Sequence, residues 1–504
     1  MDKRTLLAVV LASLVLLSWS FLTSKFYPIQ NKIVTEQASS PTTPIAQPAL
    51  IPETALELPA PSFQLSREKY EVTFVEPLAA IKEIIFKDYG SSSFSLQYGF
   101  LLGSTSLAFH KQSVSENSVK FIYEDQEKKI LKDFNFLNSN YGIELSIAIQ
   151  NLSSAPIKVD LPLVLGVLDF NRNPMQSRFQ DVTVALTEKT LHVNGQKEAL
   201  FEGVQFLGFR DRYFCVIAQP ESDKWQGNIK KISPKKTEVC LSLKELTILP
   251  GQQVREKFHI YLGPQDLKHI ARVKPEWSAI IYYGTFDLIG HLLLQLLDIL
   301  YKLVHSWGWV IFSLSVLIYF LLFPLSLKQM RSMKQMQALQ PVIAELRNKY
   351  KDNPQKLNKE IMELYRQNKV NPFAGCLPMI LQIPVFFALY QVLIRSVALK
   401  GASFLWIKDL SEPDRLLMLP VSLPVLGNEI NILPILMAIG MFLQQKITMK
   451  STGGESAEQQ KMMMIIMPIM FGFIFYRMPA GLVLYWFINS SLMLAYQFRI
   501  NRTK

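Results

Sequence analysis

Polar side chains interrupt long apolar runs in the second half of this chain: Ser313, Ser315 and Tyr319, then Gln382 and Gln391, then Gln444 and Gln445, then Asn489, Ser490 and Ser491. None is charged at neutral pH, so the chemistry they offer is hydrogen bonding in a medium of low dielectric. In hydrocarbon a polar side chain is costly unless it pairs with another helix or faces a wet cavity. The first outcome makes these residues interhelical glue. The second makes them the lining of a partly hydrated groove, and residue type alone leaves both open. Covalent catalysis has no comparable support. No phosphate-binding glycine loop or zinc-protease motif is present, and no Ser or Cys has an evident base. His110, His192, His259, His269, His291 and His305 are scattered, and each reads as structural. No metal-ligand spacing appears, and no cofactor is expected. Cys215, Cys240 and Cys376 are too few for a disulfide framework, and the first two are expected as free, buried thiols.

The elements that must position these groups are membrane spans. Residues 307–327 and 372–394 carry no charge, and each can cross a bilayer as a helix, which takes roughly 20 apolar residues. Between them, 328–369 is dense in Lys and Arg with helical patterning, so it is expected on the cytoplasmic side. A turn at 351–354 folds it into two antiparallel helices, and Pro341 kinks the first. Its methionines Met330, Met333 and Met336 form an adaptable apolar surface or simply pack the hairpin. Further spans are expected at 431–445, 462–477 and 480–498, the last two joined by the turn at 478–481. Residues 398–430 connect two spans on the outer side, 446–461 form a polar inner loop, and 499–504 a basic tail.

The first half differs. Lys3 and Arg4 precede an apolar run, which reads as an uncleaved anchor at 1–27 with its N-terminus inside. A Pro-, Ser- and Thr-rich linker follows at 28–61. Period-two runs at 71–74, 119–123, 143–150, 158–165, 183–186, 214–218 and 257–262, parted by turn clusters, make 62–275 a large β-sandwich outside the cytoplasm. Residues 276–304 hold an amphipathic helix that lies in the membrane interface. Six crossings put every Lys/Arg cluster on one side, with both termini cytoplasmic. The formal net charge of +12 then reflects the positive-inside rule and anionic lipid rather than nucleic acid.

Several motifs resemble the YidC insertase family of bacteria, which is related to insertases of mitochondria and chloroplasts. They include His305-Ser306-Trp307-Gly308-Trp309, Phe323-Pro324-Leu325-Ser326, Asn371-Pro372-Phe373-Ala374-Gly375-Cys376-Leu377-Pro378 and Gln382-Ile383-Pro384-Val385-Phe386. Leu405-Trp406-Ile407-Lys408-Asp409-Leu410, Pro479-Ala480-Gly481-Leu482-Val483-Leu484-Tyr485-Trp486 and, in the first half, Gly208-Phe209-Arg210-Asp211-Arg212-Tyr213-Phe214 complete the pattern. The resemblance implies a polytopic α-helical membrane protein of six transmembrane helices, with a five-helix insertase core and a periplasmic all-β supersandwich domain. It implies insertion and folding of nascent membrane proteins through a hydrophilic groove, alone or with the Sec translocon, with the ribosome as a further partner. Mapped onto this chain, the groove is lined by Ser315, Tyr319, Gln382, Tyr485 and Trp486. Tyr319 stands where the family usually carries an arginine, so attraction of acidic segments by a fixed cation is not available here. Two rivals make different demands. A small-molecule transporter should show internal repeats and ionisable groups at mid-membrane, and neither is present. A membrane-anchored carbohydrate-binding or carbohydrate-active β-domain leaves the later spans unexplained.

Overall fold

Alternating apolar and polar residues write most of the first half as strands, and the chain folds accordingly. The structure is a computed structural model that describes residues 61–502, apart from 104, 139–140, 171–176, 244–245, 352, 369, 371–376, 424–426 and 449–454. The expected anchor, nearly all of the linker and Cys376 therefore lie outside the described residues, as do the side chains of Met330 and Met333.

A nine-stranded antiparallel sheet forms one layer of the β-domain. Its spatial order is Thr190–Asn194, Asp181–Leu186, Val204–Arg210, Phe214–Pro220, Gln253–Pro264, Gly142–Asn151, Lys128–Phe136, Ser118–Glu124 and His110–Val114. Facing it are a four-stranded sheet (Ser62–Ser66, Tyr70–Val75, Ala80–Phe86, Ser92–Gly99) and a five-stranded sheet built around Trp225–Ser233, Lys236–Leu243 and Leu163–Asp169. Aromatic rings close the gap: Phe86 stacks on Phe214 at 4.2 Å, Phe74 meets Phe134 at 5.3 Å and Trp225 meets Phe258 at 4.9 Å. The run 158–165 is not one strand. It divides into Ile157–Val159 and Leu163–Asp169, because Pro162 has no N–H to give a ladder.

One buried cation locks the layers. Lys132 is fully buried on an inward position, and its ammonium donates to the carbonyls of Ala79 (2.7 Å) and Phe100. Both acceptor residues hold left-handed backbone, at φ 45° and 64°, which is strained for a side chain with a Cβ. Lys132 thus ties two strained turns to the large sheet, and burial pushes its pKa well down.

Helix α1 (Leu267–Val273) begins at Asp266, whose carboxylate accepts from the Lys268 and His269 amides. Short 3-10 turns at Pro275–Ile280 and Gly284–Phe286 lead into α2 (Asp287–Val304), so the amphipathic helix takes the later part of 276–304. Leu293 and Leu297 of α2 are buried, while Leu288, Leu292, Ile299 and Leu303 are exposed. The exposed row is what a helix in the membrane interface presents to lipid. His305 ends α2 in left-handed geometry (φ 56°) and turns the chain into α3 (Trp307–Ala338). Gly308 is needed there, because a Cβ would lie 2.0 Å from the Phe404 ring.

Helix α3 continues past the expected inner boundary at 327 and stops only at Leu339. Pro341 then falls in the first turn of α4 (Gln340–Lys349), where its missing N–H costs nothing. The expected kink is thus a break between helices. Asn353 caps α5 (Pro354–Gln367), which pairs with α4 as the hairpin. Helix α6 (Leu377–Arg395), α7 (Ile432–Thr448), α8 (Glu455–Phe475) and α9 (Ala480–Arg502) complete the helical part. The piece before α7 is a β-hairpin, Leu417–Leu423 with Gly427–Ile430. Asp414, buried in that connection, accepts from the Ile432 and Leu433 amides at 2.9 Å each and so fixes where α7 begins. By length and composition Trp307–Pro324 is apolar enough to cross a membrane, and shorter apolar helical stretches are Gln382–Arg395, Ile432–Ile447 and Met464–Phe475.

Candidate functional site

Helices α3, α6, α7 and α9 carry the polar residues singled out above, and the structure sorts them. Gln382 of α6 donates from Nε2 to the Tyr485 hydroxyl of α9 at 2.8 Å. Tyr485 is buried, whereas Gln382 is partly exposed. This bond uses one of the two N–H donors of the amide, which also carries an acceptor oxygen. Ser315 is fully buried, and its hydroxyl turns back to the Ile311 carbonyl at 2.7 Å. It is therefore satisfied within its own helix. Tyr319, one turn further along α3, is half-buried, and its ring lies 5.7 Å from that of Phe323. Phe323 in turn meets Tyr496 of α9 at 4.8 Å. Trp486 is partly exposed in an aromatic group with Phe386 (5.2 Å), Phe475 (5.4 Å) and Phe471 (5.8 Å), which joins α9 to α6 and α8. Gln382 and Tyr485 thus meet directly, Trp486 joins α9 to α6 and α8 through its aromatic neighbours, Tyr319 packs through Phe323 toward Tyr496 of α9, and Ser315 bonds within α3. Asn489 donates to the Tyr485 carbonyl at 2.9 Å, again within its own helix. Met336 lies on α3 near the hairpin and is partly buried.

A second site escaped sequence reasoning. Arg212, at the tip of the Val204–Arg210/Phe214–Pro220 hairpin, is buried against the C-terminal end of α6 and the segment that follows it. Its Nε donates to the Ile394 carbonyl at the end of α6 (2.8 Å) and its Nη2 to the Ser411 carbonyl (2.7 Å). Its Nη1 lies 3.3 Å from Glu412 Oε1. Two residues earlier Arg210 forms a fork with Asp181 (2.6 and 2.9 Å) and donates to the Tyr282 carbonyl at 2.8 Å. Arg395 of α6 reaches the same Asp181 at 3.7 Å and lies over Phe179. Between the two arginines, Asp211 accepts from the Tyr213 and Phe214 amides at 2.7 Å each, and burial pushes its carboxyl up to about 6. The signal was present in the run 208–214, where three consecutive charged residues, Arg210, Asp211 and Arg212, stand at the turn of an otherwise buried strand pair. What it binds depends on residues about 180 positions away, which no local pattern reveals.

Among the described residues no group of three His, Cys, Asp or Glu side chains could hold a metal. Cys215 and Cys240 are both free and buried, and burial pushes both thiols up.

Fold and site together define a helical core, with one helix among the described residues long and apolar enough to cross a membrane, that carries a β-rich domain. The family model described as YidC periplasmic domain matches residues 103–296, and that described as 60Kd inner membrane protein matches 299–504. The membrane protein insertase YidC of Syntrophobacter fumaroxidans is 32% identical, with 100% of each chain covered. That of Pelobacter propionicus is also 32% identical, over 100% of this chain and 99% of its own. Among solved structures, an active YidC insertase with its first transmembrane domain resolved is 20% identical and covers 87% of this chain and 92% of its own, with a TM-score of 0.42. This chain belongs to the YidC family of membrane protein insertases.

Proposed function

We propose that this chain inserts and folds nascent membrane proteins in the bacterial inner membrane and is not an enzyme. The observation that carries the mechanism is the Gln382–Tyr485 bond, a polar pair between two largely apolar helices with Gln382 partly exposed. A client's polar segment rests against Gln382, Tyr319 and Trp486, with Ser315 and Tyr485 behind them as a polar floor. It loses less hydration there than in lipid. The client's apolar segment leaves sideways into hydrocarbon, where burial gains about 25 cal/mol per Å². No cofactor or nucleotide takes part. Tyr319 offers a hydroxyl in place of a fixed cation, so recognition is by hydrogen bonding and does not favour acidic clients.

In this reading the chain crosses the membrane six times, through the anchor 1–27 and the spans 305–327, 372–397, 431–445, 462–477 and 480–498. Both termini are cytoplasmic, as are the hairpin 328–371, the loop 446–461 and the tail 499–504. The domain 62–275 and the connection 398–430 are periplasmic. Met330, Met333 and Met336 meet apolar client segments on the inner side, and the Sec translocon and the ribosome are partners. The Lys/Arg distribution supports the orientation. Single cysteines at Ser92 and Lys408 should react with an impermeant reagent from outside, and those at Asn353 and Ser456 should not. Labelling of Asn353 from outside would refute the orientation.

The test of the groove is reconstitution in liposomes with a short two-span client. Tyr319→Phe should insert it nearly as well as the parent chain, and Tyr319→Leu with Ser315→Ala markedly less. Photo-crosslinkers at Tyr319 and Trp486 should capture the client. Parental insertion by the double variant, with no capture at Tyr319, would reduce these residues to ordinary helix packing.

A further inference from the structure

We propose that a furrow between α7 and α8 holds one acyl chain of an anionic phospholipid of the outer leaflet, as a retained lipid distinct from the general lipid shell. The proposal rests on the reading of α7 and α8 as membrane spans. The furrow has a volume of about 620 Å³. Two rows at helical spacing form its walls: Ile435, Ile439 and Phe442 on α7, and Ile465, Ile469 and Phe473 on α8. Its floor is the place where the two helices touch. A Cβ built on Gly472 would lie 3.1 Å from the Ala438 Cβ, tighter than most such contacts, so glycine lets α8 come this close without a shift. Pro468, one turn before Gly472, also lines the furrow. A proline inside a helix bends it, and helices in contact at Gly472 then part on the other side of the bend.

The lining decides what fills this space. Water needs several polar partners to occupy a cavity, and these walls are apolar. An empty furrow would forfeit the dispersion contacts of every wall residue, a penalty that grows with volume. The occupant is therefore apolar. A third helix packs with its axis about 8–10 Å from its neighbours. It would ride over a furrow whose floor is a helix–helix contact and leave the bottom unfilled, whereas a single hydrocarbon chain fits inside.

Charge at one end selects the lipid class. Tyr476 closes the furrow at the end of α8, and the exposed Arg477 follows it. Its Nη2 lies 3.9 Å from the position of a Cβ on Gly427, in the β-hairpin that leads into α7. A phosphate at the level of Arg477 places its acyl chain in the furrow below.

The experiment counts lipids and insertion in the same preparations. The full chain is reconstituted with phosphatidylethanolamine and phosphatidylglycerol, stripped with detergent, and weighed by native mass spectrometry. The expected result is one phosphatidylglycerol retained per chain. Ile439→Trp with Ile469→Trp fills the furrow from exposed wall positions and should retain none. Arg477→Ala should weaken retention about twofold to fivefold, as the loss of one exposed ion pair does. Equal retention by the parent and the filled variant would overturn the proposal. So would a photo-crosslinker at Ile439 that captures client protein in preference to phospholipid. Loss of insertion by the parent chain would strike the proposed function instead, because the lipid count does not depend on it.

Discussion

Arg212 offers the most direct test of how the β-domain is held. Replacing it with Ala leaves two buried carbonyls, Ile394 and Ser411, without the donors now at 2.8 and 2.7 Å. Each is a bond from a charged donor, and such bonds contribute about 1.5–3 kcal/mol. The contact with Glu412 adds little, because that carboxylate is 37% exposed and exposed pairs contribute about 0–1 kcal/mol. The local loss is then about 3–6 kcal/mol, summed from the two bonds. Even the lower figure raises the population of an open junction more than about a hundredfold, at 1.4 kcal/mol for each factor of ten. Hydrogen exchange on the full chain in nanodiscs reads this directly. Amides of 397–411, such as Ile407, which donates to the Phe404 carbonyl, should lose protection by that factor. The ladder between Phe214–Pro220 and Gln253–Pro264 should keep its own. Arg212→Lys should fall between, since a point charge cannot serve three acceptors as a planar fork does. A change smaller than about threefold in 397–411 for Arg212→Ala, roughly 0.6 kcal/mol, would refute the reasoning.

Gln382→Leu and Tyr485→Phe should each destabilise the core modestly, and their double-mutant cycle should return a coupling of about 0.6–1.7 kcal/mol, the range for such bonds between membrane helices. A coupling of zero would mean that the bond is not made in lipid. His192 is held neutral, with its pKa pushed down to about 4 by burial and, after that, by Arg210, while its ring stacks on Tyr282 at 4.1 Å. Below about pH 6.5 the unfolded chain takes up a proton that the folded chain refuses, so this residue's contribution to stability is lost as pH falls from about 6.5 to about 4. His192→Gln should flatten the melting temperature against pH across that window, and an unchanged slope would contradict the assignment. Cys215 and Cys240 should resist maleimide in the native protein, both react in denaturant, and show no mass shift on reduction, whereas a two-proton shift would reveal a bridge.

Most of the architecture was legible because burial imposes a period. Strands with one face in a core alternate, which is why 119–123 and 257–262 were read correctly within Ser118–Glu124 and Gln253–Pro264. The tight turn between α8 and α9 announced itself through Pro479, although it lies at 476–479 and the expected turn residue Gly481 falls inside α9. What failed to show was set by partners far along the chain. Lys132 looks like one charge among several in Lys128–Phe136, and only the two strained turns it reaches explain its burial. Asp414 caps α7 from eighteen residues upstream, beyond any local capping pattern. Ser315 shows the opposite limit. Its polarity in an apolar run was plain, but whether the hydroxyl faced a groove or its own backbone is a rotamer choice, which sequence does not record.

The same asymmetry separates two ways of disturbing the β-domain. Removing residues 62–273 and joining the anchor to α2 by a linker takes away Arg212, but it also takes away the strands that bury the Ile394 and Ser411 carbonyls. Both then meet water, which replaces the lost donors. Deleting both partners of a buried interaction costs much less than deleting one. Arg212→Ala in the intact chain leaves the same carbonyls beneath the domain, desolvated and unpaired. The point variant should therefore disturb the outer end of α6 more than loss of the whole domain does. Helix α6 carries Gln382, 12 residues before Ile394, or about 18 Å along the axis at 1.5 Å per residue. If α6 moves as a rigid element, insertion of the two-span client should rank parent chain, then domain deletion, then Arg212→Ala, each checked as folded and correctly oriented. A deletion that inserts far less than Arg212→Ala would show that the domain contributes something other than this dock.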